Sequence, residues 1–136
     1  MSVYVAGCYN DLETICQAQS FFIYNGYTIS YDWTERAERH LERTPANMGT
    51  DAQKDIDGVL DADWSVLIMT DADYVYRGTF AELGASLCRD IYRRLPRTII
   101  VGSQTSYASD CCFWHHPGIF HANSLNEALN HMRMNE

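Results

Sequence analysis

The sequence is short of basic residues and of long apolar runs. Ten lysines and arginines stand against eighteen aspartates and glutamates, giving a formal net charge of -8 at pH 7. Binding to a nucleic-acid polymer depends on basic side chains that displace counterions, so such a partner is not expected. The longest aliphatic runs, residues 66–69 and 99–101, are far shorter than the roughly 20 apolar residues that cross a bilayer. We therefore predict neither a nucleic-acid-binding nor a membrane protein.

Signals for secretion and for a disulfide framework are also missing. Residues 1–7 lack the basic stretch of a secretory signal, so we expect a cytoplasmic location. The five cysteines are odd in number and scattered, which indicates reduced thiols. Cys111 and Cys112 precede His115 and His116, but zinc-binding cysteines are usually separated by about two to four residues. We predict no metal at this cluster.

The overall amino-acid composition is typical of a folded domain. With 136 residues, 46% of them hydrophobic and 21% charged, the chain is expected to form a single domain over residues 1–136. Strand-like runs cover residues 3–6, 27–31, 64–69 and 97–101, and helical periodicity follows Asp11, covers residues 51–62 and 79–92, and follows Ser124. Residues 34–50 fit either helix or loop. The alternation predicts a doubly wound α/β fold, a parallel sheet with helices on both faces.

Ligands of such sheets bind beyond the carboxyl ends of the strands, which here are residues 7–11, 32–34, 70–82 and 102–121. None of these segments contains a GxGxxG motif, a P-loop lysine or a GxSxG elbow, which disfavours dinucleotide, triphosphate and serine-hydrolase sites. A group of arginines, Arg89, Arg93, Arg94 and Arg97, lies at the far end of a predicted helix. We interpret these as cations that complement a helix C-terminus.

The most informative segment is residues 77–84, RGTFAELG. Thr79 followed three residues later by Glu82 has the spacing of a capping box at the start of a helix. Glu82 also lies where the ligand edge is expected, so its carboxylate is a candidate to attack an electron-poor sugar carbon. One carboxylate cannot fully cap a helix and attack freely, so the two interpretations compete.

Three short motifs carry a resemblance that runs over nearly the whole chain: Tyr4 to Gly7 (YVAG), Asp55 to Asp63 (DIDGVLDAD) and Gly78 to Gly84 (GTFAELG). In this order and spacing they resemble the nucleoside 2-deoxyribosyltransferase family, including its relatives that hydrolyse deoxynucleoside monophosphates. The resemblance implies a flavodoxin-like fold and assembly into a homodimer or larger homo-oligomer. It also implies sites that a neighbouring subunit completes.

The resemblance further implies that Glu82 is the nucleophile, that Tyr4 orients it, and that Asp55 helps to bind or protonate the base. The reaction would be cleavage of the N-glycosidic bond of a (deoxy)nucleoside through a covalent glycosyl-Glu intermediate, with transfer of the sugar to another base or to water. A carboxylate can stabilise an oxocarbenium-like state and then trap it, as in retaining glycosidases. This chemistry needs no cofactor.

Further residues at the same edge are candidates to contact the substrate: Gly7, Tyr9, Asp71, Asp73, Arg77 and Gly78. One family branch has an acid where this chain has Tyr76, so that role is either lost or moved to Asp71 or Asp73. The loop at residues 8–11 contains no cation, unlike the phosphate loop of the monophosphate-cleaving branch. Together with the net charge this favours an uncharged nucleoside over its monophosphate, unless Arg77 or an arginine of a neighbouring subunit supplies the cation.

Two other function classes stay open. Asp71 and Asp73 after an apolar strand are typical of DxD sites that hold Mg²⁺ or Mn²⁺ in phosphatases and glycosyltransferases. The second open class is a module that binds nucleosides or nucleotides without turnover, because a fold alone does not establish activity. Metal dependence distinguishes the first from the carboxylate mechanism, and release of free base distinguishes the second.

Overall fold

The computed structural model describes residues 1–38, 42–104 and 107–136, and in these ranges five strands form one sheet. The strands are β1 (Ser2–Gly7), β2 (Thr28–Ile29), β3 (Trp64–Met69), β4 (Thr98–Gly102) and β5 (Ile119–Ala122). Their order is β2-β1-β3-β4-β5, and every neighbouring pair is parallel. This is the flavodoxin-like order of a doubly wound α/β fold, which confirms the predicted fold class.

Helices cover both faces of the sheet. They are α1 (Leu12–Tyr24), α2 (Thr34–Glu38), α3 (Pro45–Asp61), α4 (Arg77–Arg93) and α5 (Leu125–Met134), with short 3₁₀ helices at Tyr107–Asp110 and Cys112–His115. α1 packs against α5, and α3 packs against α4. The predicted caps are confirmed: the side chains of Asp11 and Ser124 accept hydrogen bonds from the first turns of α1 and α5. No helix in the described ranges is long and apolar enough to cross a membrane.

The centre of the sheet is the centre of the core. All six residues of β3 are buried, and so are the four inner residues of β1. Parallel strands that are covered on both faces become nearly continuous apolar runs, which explains why these two were recognisable in the sequence. β3 has the predicted bounds, 64–69.

The edges of the sheet differ from the prediction. β2 has two residues rather than the five at 27–31, because it pairs only with the beginning of β1. β5 was not predicted; it is four residues long and mostly half-buried, so it lacks the apolar run of an inner strand. Of the ambiguous stretch at residues 34–50, the first part is α2 and the last part belongs to α3, which begins at Pro45 after the Thr44 cap, whereas residues 39–41 lie outside the described part of the chain.

Two members of the arginine group, Arg89 and Arg93, bind a helix C-terminus, but that of the neighbouring helix. Buried Arg89 donates to the Val59 carbonyl, and Arg93 donates to the carbonyls of Leu60 and Ala62, all at the end of α3. Arg89 is also paired with Asp90 at 2.7 Å. These contacts hold α3 and α4 together away from the ligand edge.

Candidate active site

A cavity of about 630 Å³ opens at the carboxyl edge of the sheet. Its walls come from the ends of β1 and α2, from the segment before and along α3, and from the loop and first turns of α4. Three of the four predicted ligand segments contribute to it, namely residues 7–11, 32–34 and 70–82. Within the described part of the chain, residues 102–104 and 107–121 do not line it.

Glu82 lies in this cavity on α4, and its Oε2 atom is buried without a hydrogen-bond partner among the described residues. Burial and the negative charge of Asp55 raise the pKa of Glu82 to about 8, while Tyr4 and Arg36 act in the opposite direction. Perturbed carboxyl groups with unused lone pairs are typical of functional sites. Glu82 is therefore poised between its protonated and ionised forms near neutral pH.

Tyr4 approaches Glu82 from β1. The residue is fully buried, and its hydroxyl makes no hydrogen bond of normal geometry in the described structure. The two groups are close enough to interact: burial, followed by the charges of Glu82 and Asp55, raises the pKa of Tyr4. A neutral phenol beside a carboxylate can donate a hydrogen bond to it once the carboxyl ionises.

The glycine of the motif that starts at Asp55, Gly58, lies where a side chain would not fit. A Cβ atom on Gly58 would lie 2.6 Å from Cβ of Tyr31 and 3.0 Å from the Tyr4 ring. α3 can therefore approach β1 closely only at a glycine. One turn earlier on the same helix, Asp55 reaches the cavity beside Tyr4 and Glu82.

Both oxygens of Asp55 are held by Arg36. The guanidinium of Arg36 donates from Nη1 to Oδ1 at 2.7 Å and from Nη2 to Oδ2 at 2.8 Å, and its Nε lies 3.3 Å from Asp51. Sequence reasoning missed Arg36, because it stands in a short helix without apolar periodicity. The structure thus shows Asp55 in a bidentate ion pair rather than as an isolated carboxyl group.

The capping box predicted at Thr79 is wrong. α4 begins at Arg77, its N-cap Tyr76 is in the left-handed region with φ 55°, and no side chain caps the helix. The Thr79 hydroxyl instead donates to the Gly7 carbonyl at 3.1 Å, which ties α4 to the end of β1. Glu82 is thereby free of the capping role that competed with a chemical one.

The predicted contact residues are mostly gathered at the cavity. Gly7, Tyr9, Asp73, Arg77 and Gly78 line it. Asp71 does not: its carboxylate accepts the backbone N–H of Asp73 at 2.9 Å, and it borders a separate small cleft. The two carboxylates of the DxD pattern therefore do not face one cavity.

The cavity contains more positive charge than the sequence suggested. Arg36, Arg43 and Arg77 all line it, so the premise that cations are lacking is wrong. The Arg43 guanidinium lies 5.5 Å from the centroid of the Tyr9 ring, and Tyr9 in turn stacks on Trp33 at 6.3 Å. This gives the mouth a cationic and aromatic wall.

The cysteine and histidine cluster lies elsewhere. His115 Nε2 is 2.8 Å from the Ser109 carbonyl, and His116 Nδ1 accepts from the Gly118 N–H. Among the described residues, no three His, Cys, Asp or Glu side chains converge as metal ligands do.

Comparison with known proteins yields a match in structure. A solved structure of a CMP N-glycosidase from Clostridium botulinum is similar to this chain with a TM-score of 0.56 and 12% identity, covering 98% of this chain and 99% of that one. No protein-family model matches, and no curated protein sequence matches. At this identity the likeness establishes a shared flavodoxin-like fold.

Proposed function

We propose that this protein cleaves the N-glycosidic bond of a (deoxy)nucleoside or its 5′-monophosphate, with Glu82 as the nucleophile. The observation that carries the proposal is the buried, unpartnered Oε2 of Glu82 in a cavity large enough for a nucleoside, beside Tyr4 and Asp55. The family resemblance and the fold shared with a CMP N-glycosidase support the same chemistry.

In the first step a Glu82 oxygen bonds to C1′ of the sugar as the bond from C1′ to the base nitrogen breaks. The base leaves with that electron pair and takes a proton from solvent water at the mouth of the cavity. Tyr4 donates a hydrogen bond that orients the Glu82 carboxylate, and Asp55 faces the base. In the second step water or another base attacks C1′, the bond from C1′ to the Glu82 oxygen breaks with its electron pair returning to the carboxylate, and the attacking group loses its proton to solvent, as in a retaining glycosidase.

The arginines favour a substrate that carries a 5′-phosphate. Arg36 is already paired with Asp51 and Asp55, but Arg77 stands in the first turn of α4 and Arg43 lies at the aromatic wall. Helix N-termini attract anions, and no side chain caps that of α4. We expect kcat/KM to be higher for a monophosphate than for its nucleoside, and the difference to shrink in Arg77→Ala. Equal values for both substrates would contradict this assignment.

The protein is also proposed to form a homo-oligomer through α4. Ile91, Tyr92 and Leu95 form an exposed apolar face at the end of this helix, with Tyr92 90% exposed. A second copy would bury this face, and the family resemblance implies assembly into a homodimer or larger homo-oligomer. Light scattering should therefore give at least twice the chain mass, and Tyr92→Glu should lower it.

Product analysis tests the reaction. Deoxynucleosides and their monophosphates are incubated with wild type, Glu82→Gln and Glu13→Gln, with and without chelator, and free base is separated by chromatography. Glu13 is an exposed glutamate on α1, so its variant controls for the chemical change. We expect release by wild type and Glu13→Gln, and at least about a hundredfold less by Glu82→Gln.

The other outcomes identify the competing functions. Release that requires Mg²⁺ and stops with chelator would support the DxD mechanism. Saturable nucleoside binding without any free base would support the module without turnover.

A further inference from the structure

Arg36 connects two helices at the wall of the cavity. It belongs to α2, whereas both of its carboxylate partners, Asp51 and Asp55, belong to α3. Its Nη1 also lies 3.4 Å from the Tyr31 hydroxyl oxygen. The side chains of Arg36 and Asp55 are only 18% and 16% exposed. The pair is therefore largely removed from water and held in one orientation.

The fork geometry fixes what Asp55 can offer to a ligand. An ionised carboxylate has about four lone-pair sites and no donor hydrogen. Arg36 takes one site on each oxygen and matches the ionised form, because the guanidinium itself only donates. The sites that are left are acceptors. A group of the base that meets Asp55 must then be a donor.

We propose that Arg36 is a specificity-determining positioning residue, which holds Asp55 as a hydrogen-bond acceptor and so selects bases that present an amino group. This rests on the proposed function, in which Asp55 faces the base. Cytosine and adenine carry an exocyclic amino group where uracil and hypoxanthine carry a carbonyl oxygen. An oxygen against Asp55 leaves two acceptors facing each other without a hydrogen, which is penalised in a partly buried site.

Matched substrates test the selection. Deoxycytidine is compared with deoxyuridine, and deoxyadenosine with deoxyinosine, as nucleosides and as monophosphates. We expect kcat/KM of the wild type to favour the amino member of each pair by at least about tenfold, the effect of one unsatisfied buried polar group. A ratio near one in both pairs would overturn the proposal.

Substitutions at two positions, Asp55 and Arg36, separate selection from mere structural support. Asp55→Asn replaces one acceptor by a donor, so the preference should shift towards the carbonyl-bearing bases, a result that general loss of structure does not produce. Arg36→Gln should lower the ratio towards one, and Arg36→Lys, which keeps the charge but not the fork, should give an intermediate ratio. Lys54→Gln removes an exposed cation next to Asp55 in sequence and should leave the ratio unchanged.

A binding experiment keeps this inference separate from the proposed reaction. Calorimetry with Glu82→Gln measures the affinities for free cytosine and free uracil, with no turnover required. Tighter binding of cytosine that reverses in Asp55→Asn supports the inference even if the wild type releases no base. Equal binding of both bases, or binding of neither, overturns it. Asp55→Asn and Arg36→Lys change the shape of the side chain little. The comparison with these two variants can therefore still be made if Arg36→Gln does not fold.

Discussion

Replacing Glu82 by glutamine should make the protein more stable while strongly reducing the proposed release of base. The pKa of this carboxyl rises from its ordinary value of 4.5 to about 8, mainly because of burial. At about 1.4 kcal/mol per pKa unit, ionising Glu82 in the folded chain costs roughly 4–5 kcal/mol more than in the unfolded chain. An amide of the same shape has no charge to bury and avoids this cost.

The pH dependence follows from the sign of the shift. Below about pH 4.5 both the folded and the unfolded chain hold the Glu82 proton, so the substitution changes little. Between about 4.5 and 8 only the unfolded chain releases it, so the stability of the wild type falls with rising pH by about 1.4 kcal/mol per unit. Above pH 8 the loss is complete. Glu82→Gln lacks this contribution, so its advantage grows across that window.

Urea denaturation followed by circular dichroism measures the effect at pH 5.5 and 8.5. The advantage of Glu82→Gln over wild type should be about 1 kcal/mol at the lower pH and roughly 3–5 kcal/mol at the higher one. Glu13→Gln, the same chemical change at an exposed position, should show no comparable growth. If Glu82→Gln is equally or less stable than wild type at pH 8.5, the carboxylate is not the buried, destabilising group described here.

Two further predictions concern the site and its scaffold. The kcat/KM of base release should rise about tenfold per unit up to about pH 8 and then level off, because only ionised Glu82 attacks; a fall above pH 8 would instead make Glu82 a general acid. Gly58→Ala should destabilise the fold by about 1–3 kcal/mol, because its Cβ would overlap Tyr31 and the Tyr4 ring. Gly49→Ala in the same helix meets no atom within 4 Å and should be neutral or stabilising by up to about 1 kcal/mol, so equal effects at both glycines would refute the close-approach argument.

The parts of the fold that could be predicted are those whose signals are local. β3 is buried on both faces and therefore appears as an apolar run, and Asp11 and Ser124 cap their helices by contacts within three residues. The glycine motif at residues 55–63 could be recognised as a pattern. Its reason, the contact between Gly58 and Tyr4, required the packing of α3 on β1.

The parts that could not be predicted depend on contacts between distant segments. Thr79 and Glu82 have capping-box spacing, but α4 begins at Arg77, two residues before Thr79. The Thr79 hydroxyl donates its hydrogen bond to the Gly7 carbonyl instead. Arg36 and Arg43 lie in a polar stretch without periodicity, and only the fold brings them to the cavity, Arg36 from α2 and Arg43 from the segment just before α3. The charge of the site therefore could not be read from residues 8–11 alone.

The most direct test of the account is to look for the covalent intermediate on Glu82. The protein is quenched with acid during incubation with a monophosphate or nucleoside from which it releases base, then digested and analysed by mass spectrometry. We expect one sugar adduct on the peptide that contains Glu82, and none in Glu82→Gln. Release of base with the adduct on another residue, or undiminished release by Glu82→Gln, would contradict it.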